Sequence, residues 1–485
     1  MSSNHHPRRG LEEGTGKNQD FRVERDFLGE VEVPNEAYYG VQTLRAVNNF
    51  PISGLRLPRE FIRAQGIIKF AAARANVQLG LLDGKIGEAI AQASREVIEG
   101  KLDSNFVVDV YQAGAGTSQN MNANEVIANR ALEIMGFQKG DYKIIHPNDH
   151  VNMAQSTNDT IHVAIHVSAL ESIKKQLLPS LEVLRESLRK KSEEFRDIVK
   201  IGRTHLQDAV PITLGQEFSG YESMITHDIA RIKRSSSDLE ELNLGGTAVG
   251  TGLNAHPRFS ELAIRYVNEI TGINFRRAEN MFESTQNLDA CAEVSSSLRT
   301  LAVSLTKIAN DLRLLSSGPA AGLAEIVLPS VQPGSSIMPG KVNPSIAEMV
   351  NMVAYQIMGN DLAVCAACQA GQLELNVMMP VVAWNLLQSI KIATNASRVF
   401  AERCIDGIKA NADICLRYAE MSSALATALS PKIGYEKAAE IAKLAVVTKR
   451  SIREIAKEKL DMPEEELDKL LDVRKLTSNK EWQET

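Results

Sequence analysis

Gly334-Ser335-Ser336-Ile337-Met338-Pro339-Gly340-Lys341-Val342-Asn343-Pro344 is the stretch from which the rest of this 485-residue chain is read. Gly334 and Gly340 open backbone angles closed to other residues, and Pro339 and Pro344 stop a helix from running through the segment. Between them stand two hydroxyls, one cation and one amide. Gly, Ser, Pro and Asn also make ordinary surface turns. Those four polar groups nonetheless suit a carboxylate, so the stretch reads either as a turn or as a mobile catalytic loop.

The composition narrows the setting. Apolar residues are 44% and charged residues 24%, enough to bury a sizeable core. Aromatics are only 5%, which fits cores made by helix against helix. The formal charge of -6 gives no basic field for nucleic acid or an anionic membrane, so an anionic substrate has to be attracted locally. No run of eighteen apolar residues and no signal-peptide core is found, and a cytoplasmic protein with no membrane partner is expected. The polar segment 1–20 reads as a disordered tail whose His5-His6 pair is tail composition rather than a metal site. The five cysteines are scattered, as reduced thiols would be. Cys365-Ala-Ala-Cys368 sits in an Ala-rich helical context without a second pair for zinc, and buried helix packing is the expected role.

Along the chain, Phe21 to Arg45 reads as an extended lead-in with a short hairpin. Glu60–Leu79 and Lys85–Glu99 carry apolar residues at helical steps, with Gly100 as a stop. Gly114-Ala115-Gly116-Thr117-Ser118-Gln119 puts small residues and hydroxyls at a helix start, where unpaired N–H groups favour an anion. It is not a dinucleotide fingerprint, since the glycine spacing is wrong. Gln155-Ser156-Thr157-Asn158-Asp159 follows a polar turn; it reads equally well as a helix cap or as an anion site. A long helix is expected from Thr160 to Arg196, kinked by Pro179. His162 and His166 stand at metal-ligand spacing, but without a companion carboxylate motif they read as packing or pocket lining. Gly202-Arg203-Thr204-His205-Leu206-Gln207-Asp208-Ala209-Val210-Pro211 reads as a loop interrupting two long helical runs, and its imidazole is a group suited to proton transfer. The glycine-rich Gly245–Gly252 connection lacks the Gly-Lys-Ser/Thr of a phosphate loop. Helices are expected again at Leu214–Leu242, Ala290–Ser316, Ser345–Leu373 and Pro380–Ala401. Five long apolar stripes exceed what one slim bundle satisfies, which predicts association through helices.

The loop at 334–344 closely resembles the signature GSSxMPxKxN of the fumarase/aspartase superfamily, with every fixed position filled, and the other segments occur in the family's order over roughly Phe21 to Asp472. The resemblance implies a mainly α, three-domain fold with a central long-helix bundle that assembles into a tetrameric helical core. The domains are then a tail at 1–20, an N-terminal domain at 21–150, a central long-helix domain at 151–403 and a small C-terminal helical domain at 404–485. It further implies active sites shared between subunits, a small dicarboxylate substrate, and no cofactor or metal. By transfer, Ser335 is the base and His205 a proton donor or electrostatic clamp. Thr117, Ser118, Ser156, Thr157, Asn158, Thr204, His205, Ser336, Lys341 and Asn343 are the substrate-binding set.

Within the family, Ala-Gly-Thr-Ser at 115–118, Ser-Thr-Asn-Asp at 156–159, Thr285-Gln286-Asn287 and Gly371–Asn376 look aspartase-like. They imply elimination of ammonia from L-aspartate to give fumarate. Met379 stands where several aspartases carry Glu, and Ile161-His162-Val163 replaces a usual Phe-Pro-Thr. Hydration of fumarate, with His205 and Glu348 handling water, is the alternative, and a non-catalytic relative with a structural role is the third reading.

Overall fold

The computed structural model describes residues 20–478. The expected tail, with His5 and His6, lies outside the described residues apart from Asp20. The chain is mainly helical, with four two-stranded sheets among the described residues, and divides into two compact units. The first comprises residues up to Ser168, Glu240–Leu288 and Ala367–Trp384; the second holds Ala169–Leu239, Asp289–Ala366 and Asn385 onward.

In the first unit the lead-in forms the expected hairpin, Phe21–Asp26 paired antiparallel with Gly29–Pro34. The core collects Ile62, Ile90, Val97, Val126, Ile127 and Leu132 from three helices, Arg59–Gln78, Gly84–Ile98 and Thr117–Ile134. Asp83 caps the second of these by accepting from Lys85 N and Ile86 N, and Gly100 ends it in the left-handed region at φ +85°. The short helix Val41–Asn49 starts on buried carboxylates. Glu125 accepts from Gly40 N, Gln42 N and Thr43 N, and Glu24 accepts from Val41 N. Those four N–H groups have no partner inside their own helix, so acids brought from elsewhere in the chain satisfy them. Burial pushes the Glu125 carboxyl up to about 7.

The second unit is built on long helices. Leu178–Glu194 packs along Leu214–Ser235, which packs in turn on Asp289–Leu315. Leu181, Leu184 and Leu188 face inward on the first, and Leu298, Leu301, Leu305, Ile308 and Leu312 on the third. The rings of Phe195 and Phe218 meet edge-on at 5.4 Å. A C-terminal group of short helices surrounds Leu425, Leu429, Ile441, Ile452, Ile455 and Leu467.

Three expectations need correction. The helix anticipated over 160–196 is α-helical over Thr157–Ser172, passes through a π-helical turn at Ile173–Leu177 and resumes at Leu178–Glu194. Pro179 lacks the N–H that would meet the Lys175 carbonyl, and the widened turn lies where that bond would have closed. The helix expected to reach Leu242 stops at Ser235. The one expected to reach Leu373 stops at Cys368, where Asn376 Nδ2 donates to the Ala367 and Cys368 carbonyls, each at 2.9 Å.

Candidate active site

Five of the expected residues lie in the first unit: Thr117, Ser118, Ser156, Thr157 and Asn158. The chain enters Thr117–Ile134 through two left-handed residues, Ala115 at φ 62° and Gly116 at φ 80°. A side chain on Gly116 would press on Ile161 at 3.1 Å, so glycine is required there. Ala115 N donates to Val377 O at 2.7 Å and fixes the turn. Thr117 is left exposed and Ser118 buried.

The two segments of this unit are tied together through amides. Asn120 Nδ2 donates to Thr157 Oγ1 at 3.2 Å, which occupies a hydroxyl lone pair and leaves the Thr157 O–H to donate elsewhere. Ser156 is a helix cap, its Oγ accepting from Asn158 N at 3.2 Å while Asp159 Oδ1 accepts from Ser156 N at 3.0 Å. The cap reading therefore holds, and the Ser156 hydroxyl proton stays available. Asn158 Nδ2 donates to Ala248 O at 2.7 Å, so its tethered end is the donor. Asp159 Oδ2 accepts from Gly245 N at 2.9 Å and Thr247 N at 3.1 Å, which places the glycine-rich connection against this segment. Burial raises the Asp159 carboxyl to about 6 against the pull of these three N–H groups and of Lys69.

Lys69 is the centre of this network. It is 1% exposed, and its ammonium donates to Asn120 Oδ1 at 2.9 Å, Asn152 Oδ1 at 2.9 Å and Gln155 Oε1 at 3.0 Å. Three donors meet three amide oxygens, a match that fits the charged form even though burial pulls the group down to about 7. The sequence reading passed over Lys69. Its signal was present in the helical spacing of Gln65, Lys69 and Asn76, polar residues on an otherwise apolar, Ala- and Ile-rich stretch of a helix in which 14 of 20 residues are buried.

Thr204, His205, Ser335, Ser336, Lys341 and Asn343 belong to the second unit. The segment expected as a loop is a hairpin, Val199–Thr204 paired with Gln207–Thr213, and His205-Leu206 are its two-residue tip. Both tip residues have positive φ, 55° and 58°, as a type I′ turn demands and as non-glycine residues resist. His205 is exposed and lines a cavity of about 280 Å³ with Lys200, Arg203, Glu217, Lys307 and Asp311. The stem below is held by a buried acid. Glu325 is fully buried; Arg203 Nη1 reaches both its oxygens at 3.0 Å and Lys200 Nζ lies 3.2 Å away, itself 2.7 Å from Glu217.

In the loop, Ser335 Oγ accepts from two backbone groups, Ile337 N at 3.2 Å and Met338 N at 3.0 Å. Donors aimed at a hydroxyl oxygen favour the alkoxide over the alcohol. Ser335 and Lys341 line a cavity of about 400 Å³ together with Val331, Pro333, Met338 and Val342, within the size range of small-ligand sites. Ser336 is exposed. Two loop amides thus hold Ser335 Oγ, while the Lys341 ammonium donates to Asn343 Oδ1 at 2.6 Å.

The lyase family model matches residues 29–359, and a fumarase C C-terminal model matches 425–478. The chain is a lyase of the fumarase/aspartase superfamily. It is 52% identical over 460 residues to an aspartate ammonia-lyase of a Bacillus species, covering 95% of this chain and 98% of that one. It is also 52% identical over 459 residues to a class II fumarate hydratase of Halobacterium salinarum, covering 95% and 97%. The crystal structure of a class II fumarase from Schistosoma mansoni superposes with a TM-score of 0.92 at 39% identity, over 95% of this chain and all of that one.

Against this family background the remaining readings resolve. His162 and His166 are buried, their rings 4.4 Å apart, with His162 Nε2 3.0 Å from Asn287 O and His166 Nδ1 2.9 Å from Glu241 O. They pack the helix against two neighbouring segments, as expected. Among the described residues no group of three side chains suited to a metal ion occurs. Cys365 and Cys368 lie on one helix, but Cys365 is exposed rather than buried, which corrects the packing role expected for it. Among the described residues no helix is long and apolar enough to cross a membrane.

Proposed function

We propose that the chain is an aspartate ammonia-lyase, eliminating ammonia from L-aspartate to give fumarate. The observation that carries the reaction class is Ser335 Oγ held by two loop amides beside Lys341. A serine hydroxyl takes a proton from carbon only as its alkoxide, and those two N–H groups are the stabilisation it needs. Proton removal beside a carboxylate builds a dianionic enediolate, which requires several fixed donors. Each such donor is worth about 3 kcal/mol at comparable oxyanion sites. The Thr117, Ser156, Thr157 and Ser336 hydroxyls are donors of that kind, and the Lys341 cation serves the second carboxylate with Asn343 held against it.

The choice of ammonia rests on Asn158. Because its donor end is tethered to Ala248 O, the amide oxygen is the end left for a ligand, and an oxygen acceptor suits an ammonium group. Met379, where several aspartases carry Glu, is 1% exposed and so serves packing in this chain. The second reading, fumarate hydration with His205 and Glu348, is supported by the 52% identity to the fumarate hydratase of Halobacterium salinarum, the same as to the Bacillus aspartate ammonia-lyase. Fumarate absorbs in the ultraviolet, so one assay separates the two readings. Faster fumarate formation from L-aspartate than from L-malate is expected at equal enzyme and saturating substrate; the reverse order assigns the hydratase.

The same reading makes the enzyme a homotetramer whose active sites draw residues from neighbouring copies. Its support is the apolar surface on the long helices: Met352, Tyr355 and Leu362 on Ser345–Cys368, and Val303 on Asp289–Leu315, are each more than half exposed in the single chain. Inactive Ser335→Ala and His205→Asn chains, refolded together into mixed oligomers, should regain activity. No recovery in proven mixed oligomers rejects shared sites.

A further inference from the structure

We propose that Asp159 is a positioning residue: through the glycine-rich connection it sets the Ala248 carbonyl against Asn158 and so fixes which end of the Asn158 amide a substrate meets. The consequence for ammonium rests on the reading of Asn158 given above; the brace itself rests on geometry. Asp159 is fully buried, and its two oxygens divide their work. Oδ1 accepts from Ser156 N at 3.0 Å, which completes the cap of the helix Thr157–Ser172. The cap needs only that oxygen. Oδ2 reaches out of the helix to Gly245 N at 2.9 Å and Thr247 N at 3.1 Å, 86 and 88 positions further along the chain.

The connection is built to pass that hold on. Gly245 and Thr247 both stand in the left-handed region, at φ 89° and 57°, and a β-branched residue keeps such an angle only where its surroundings impose it. Gly250 N and Gly252 N donate to Gly246 O at 3.0 and 3.1 Å, so the turn moves as one piece. The chain is buried from Leu242 to Thr247 and surfaces at Ala248, whose carbonyl takes Asn158 Nδ2 at 2.7 Å. Asp159 and Asn158 are neighbours in sequence, and one of them holds the backbone that holds the side chain of the other. With its donor end occupied, the Asn158 amide presents oxygen. Released, it is free to turn over and present nitrogen, which repels an ammonium group.

A positioning role predicts a selective loss. Asp159→Asn keeps the shape but sets an amide N–H against a backbone N–H that the carboxylate accepts in the parent. Amide hydrogen exchange at 243–248 should then quicken by about tenfold, the equivalent of one net hydrogen bond, while the helix Gly84–Ile98 exchanges unchanged and reports an intact fold. In the direction of amination, KM for ammonia should rise roughly tenfold, the low end for a hydrogen bond to a charged group, with KM for fumarate within about twofold of the parent. Asn158→Ala should raise KM for ammonia as well, and adding Asp159→Asn to it should cost nothing further, since the brace then has nothing to hold. Gly250→Ala strikes the brace from outside: a Cβ there would stand 2.7 Å from Met281 O and push the connection aside without removing a buried charge. It should show the same selective rise, and it carries the test if Asp159→Asn does not fold. Unchanged exchange at 243–248 overturns the proposal. So do equal rises in KM for ammonia and fumarate, which mark Asp159 as support for the fold alone, or a double variant that multiplies the two single losses. Exchange needs no turnover, so a parent that acts on L-malate and not on L-aspartate sinks the ammonium reading while the exchange result still decides the brace.

Discussion

The shelf around Lys69 in the first unit and the 334–344 loop in the second carry similar polar chemistry on opposite physical terms. Lys69, Asn120 and Asp159 are buried, and their bonds run between distant parts of the chain, joining helix Arg59–Gln78 to Thr117–Ile134 and to the 152–159 segment. The loop holds itself. Its bonds link residues no more than nine positions apart, and Ile337 at its tip is 83% exposed. Long-range, buried bonds open only with much of the fold, whereas local, exposed ones open cheaply. On the proposed function the shelf is the preformed binding surface and the loop the element that opens and closes, the division that an elimination needing a dry site and product release calls for.

The largest test of that division is Ser335→Ala. If the loop supplies the base and little packing, turnover should fall by about 100- to 10,000-fold, while the thermal midpoint stays at the parent value. Retention of more than roughly a tenth of parent turnover takes the base role from Ser335. A large drop in the midpoint would show instead that the loop bears on the fold as the shelf does, and the contrast would collapse.

How much of this was legible beforehand follows the same line. The loop was readable because its chemistry is contiguous: eleven successive residues hold the proposed base Ser335, the Lys341 cation and two glycines. Helices such as Arg59–Gln78 and Asp289–Leu315 were placed to within a residue or two by apolar spacing, because periodicity is a local property. The shelf was not readable as a network. Thr157 and Asn158 were named, but Lys69 lies more than eighty residues away from them in the chain, and only folding shows that Asn120 joins the two. The hairpin tip at His205-Leu206 escaped for another reason. Type I′ turns favour Asn-Gly or Gly-Gly, and a His-Leu tip carries no such signal; its strained angles are imposed by the pairing of Val199–Thr204 with Gln207–Thr213 and by the Glu325 cluster beneath.

A second test strikes the shelf instead. Lys69→Met keeps the length and apolar stem but takes the shared donor from the buried Asn120 amide oxygen and the half-buried Asn152 and Gln155 ones, of which Asn120 keeps Thr160 as a donor and Asn152 keeps Asn120 and Asn124. Each such loss costs about 1–3 kcal/mol when nothing replaces the partner; relaxation of the amides among themselves should hold the total to about 3 kcal/mol, read as a lower urea midpoint. Ser335→Ala, by contrast, should leave the midpoint unmoved. A Lys69→Met protein as stable as the parent would mean that water or the amides replace the ammonium, and that the shelf is less fixed than its burial implies.

The smallest effect is also the most specific, because it reads the protonation of Lys69 itself. Burial lowers this group from 10.5 to about 7, with the Asp159 charge pulling the other way. In that window the unfolded chain binds a proton that the folded chain has released, so stability rises with pH between about 7 and 10.5 and is lost as pH falls through about 7. One proton sets the ceiling, about 1.4 kcal/mol per pH unit. Asp159, raised to about 6, has finished titrating below this window. Burial pushes the Cys404 and Cys415 thiols from 9.0 up to about 12, so their titration in the unfolded chain also falls in this window, but it is common to parent and variant and cancels in the difference. Urea unfolding of parent and Lys69→Met at about pH 8 and about pH 9.5 isolates the term: the stability gap between the two proteins should widen toward the higher pH. Ser335→Ala should track the parent at both. A gap that stays constant would mean that the three amide oxygens keep Lys69 charged across the range, as their geometry favours, and that the shelf holds a fixed cation rather than a titrating one.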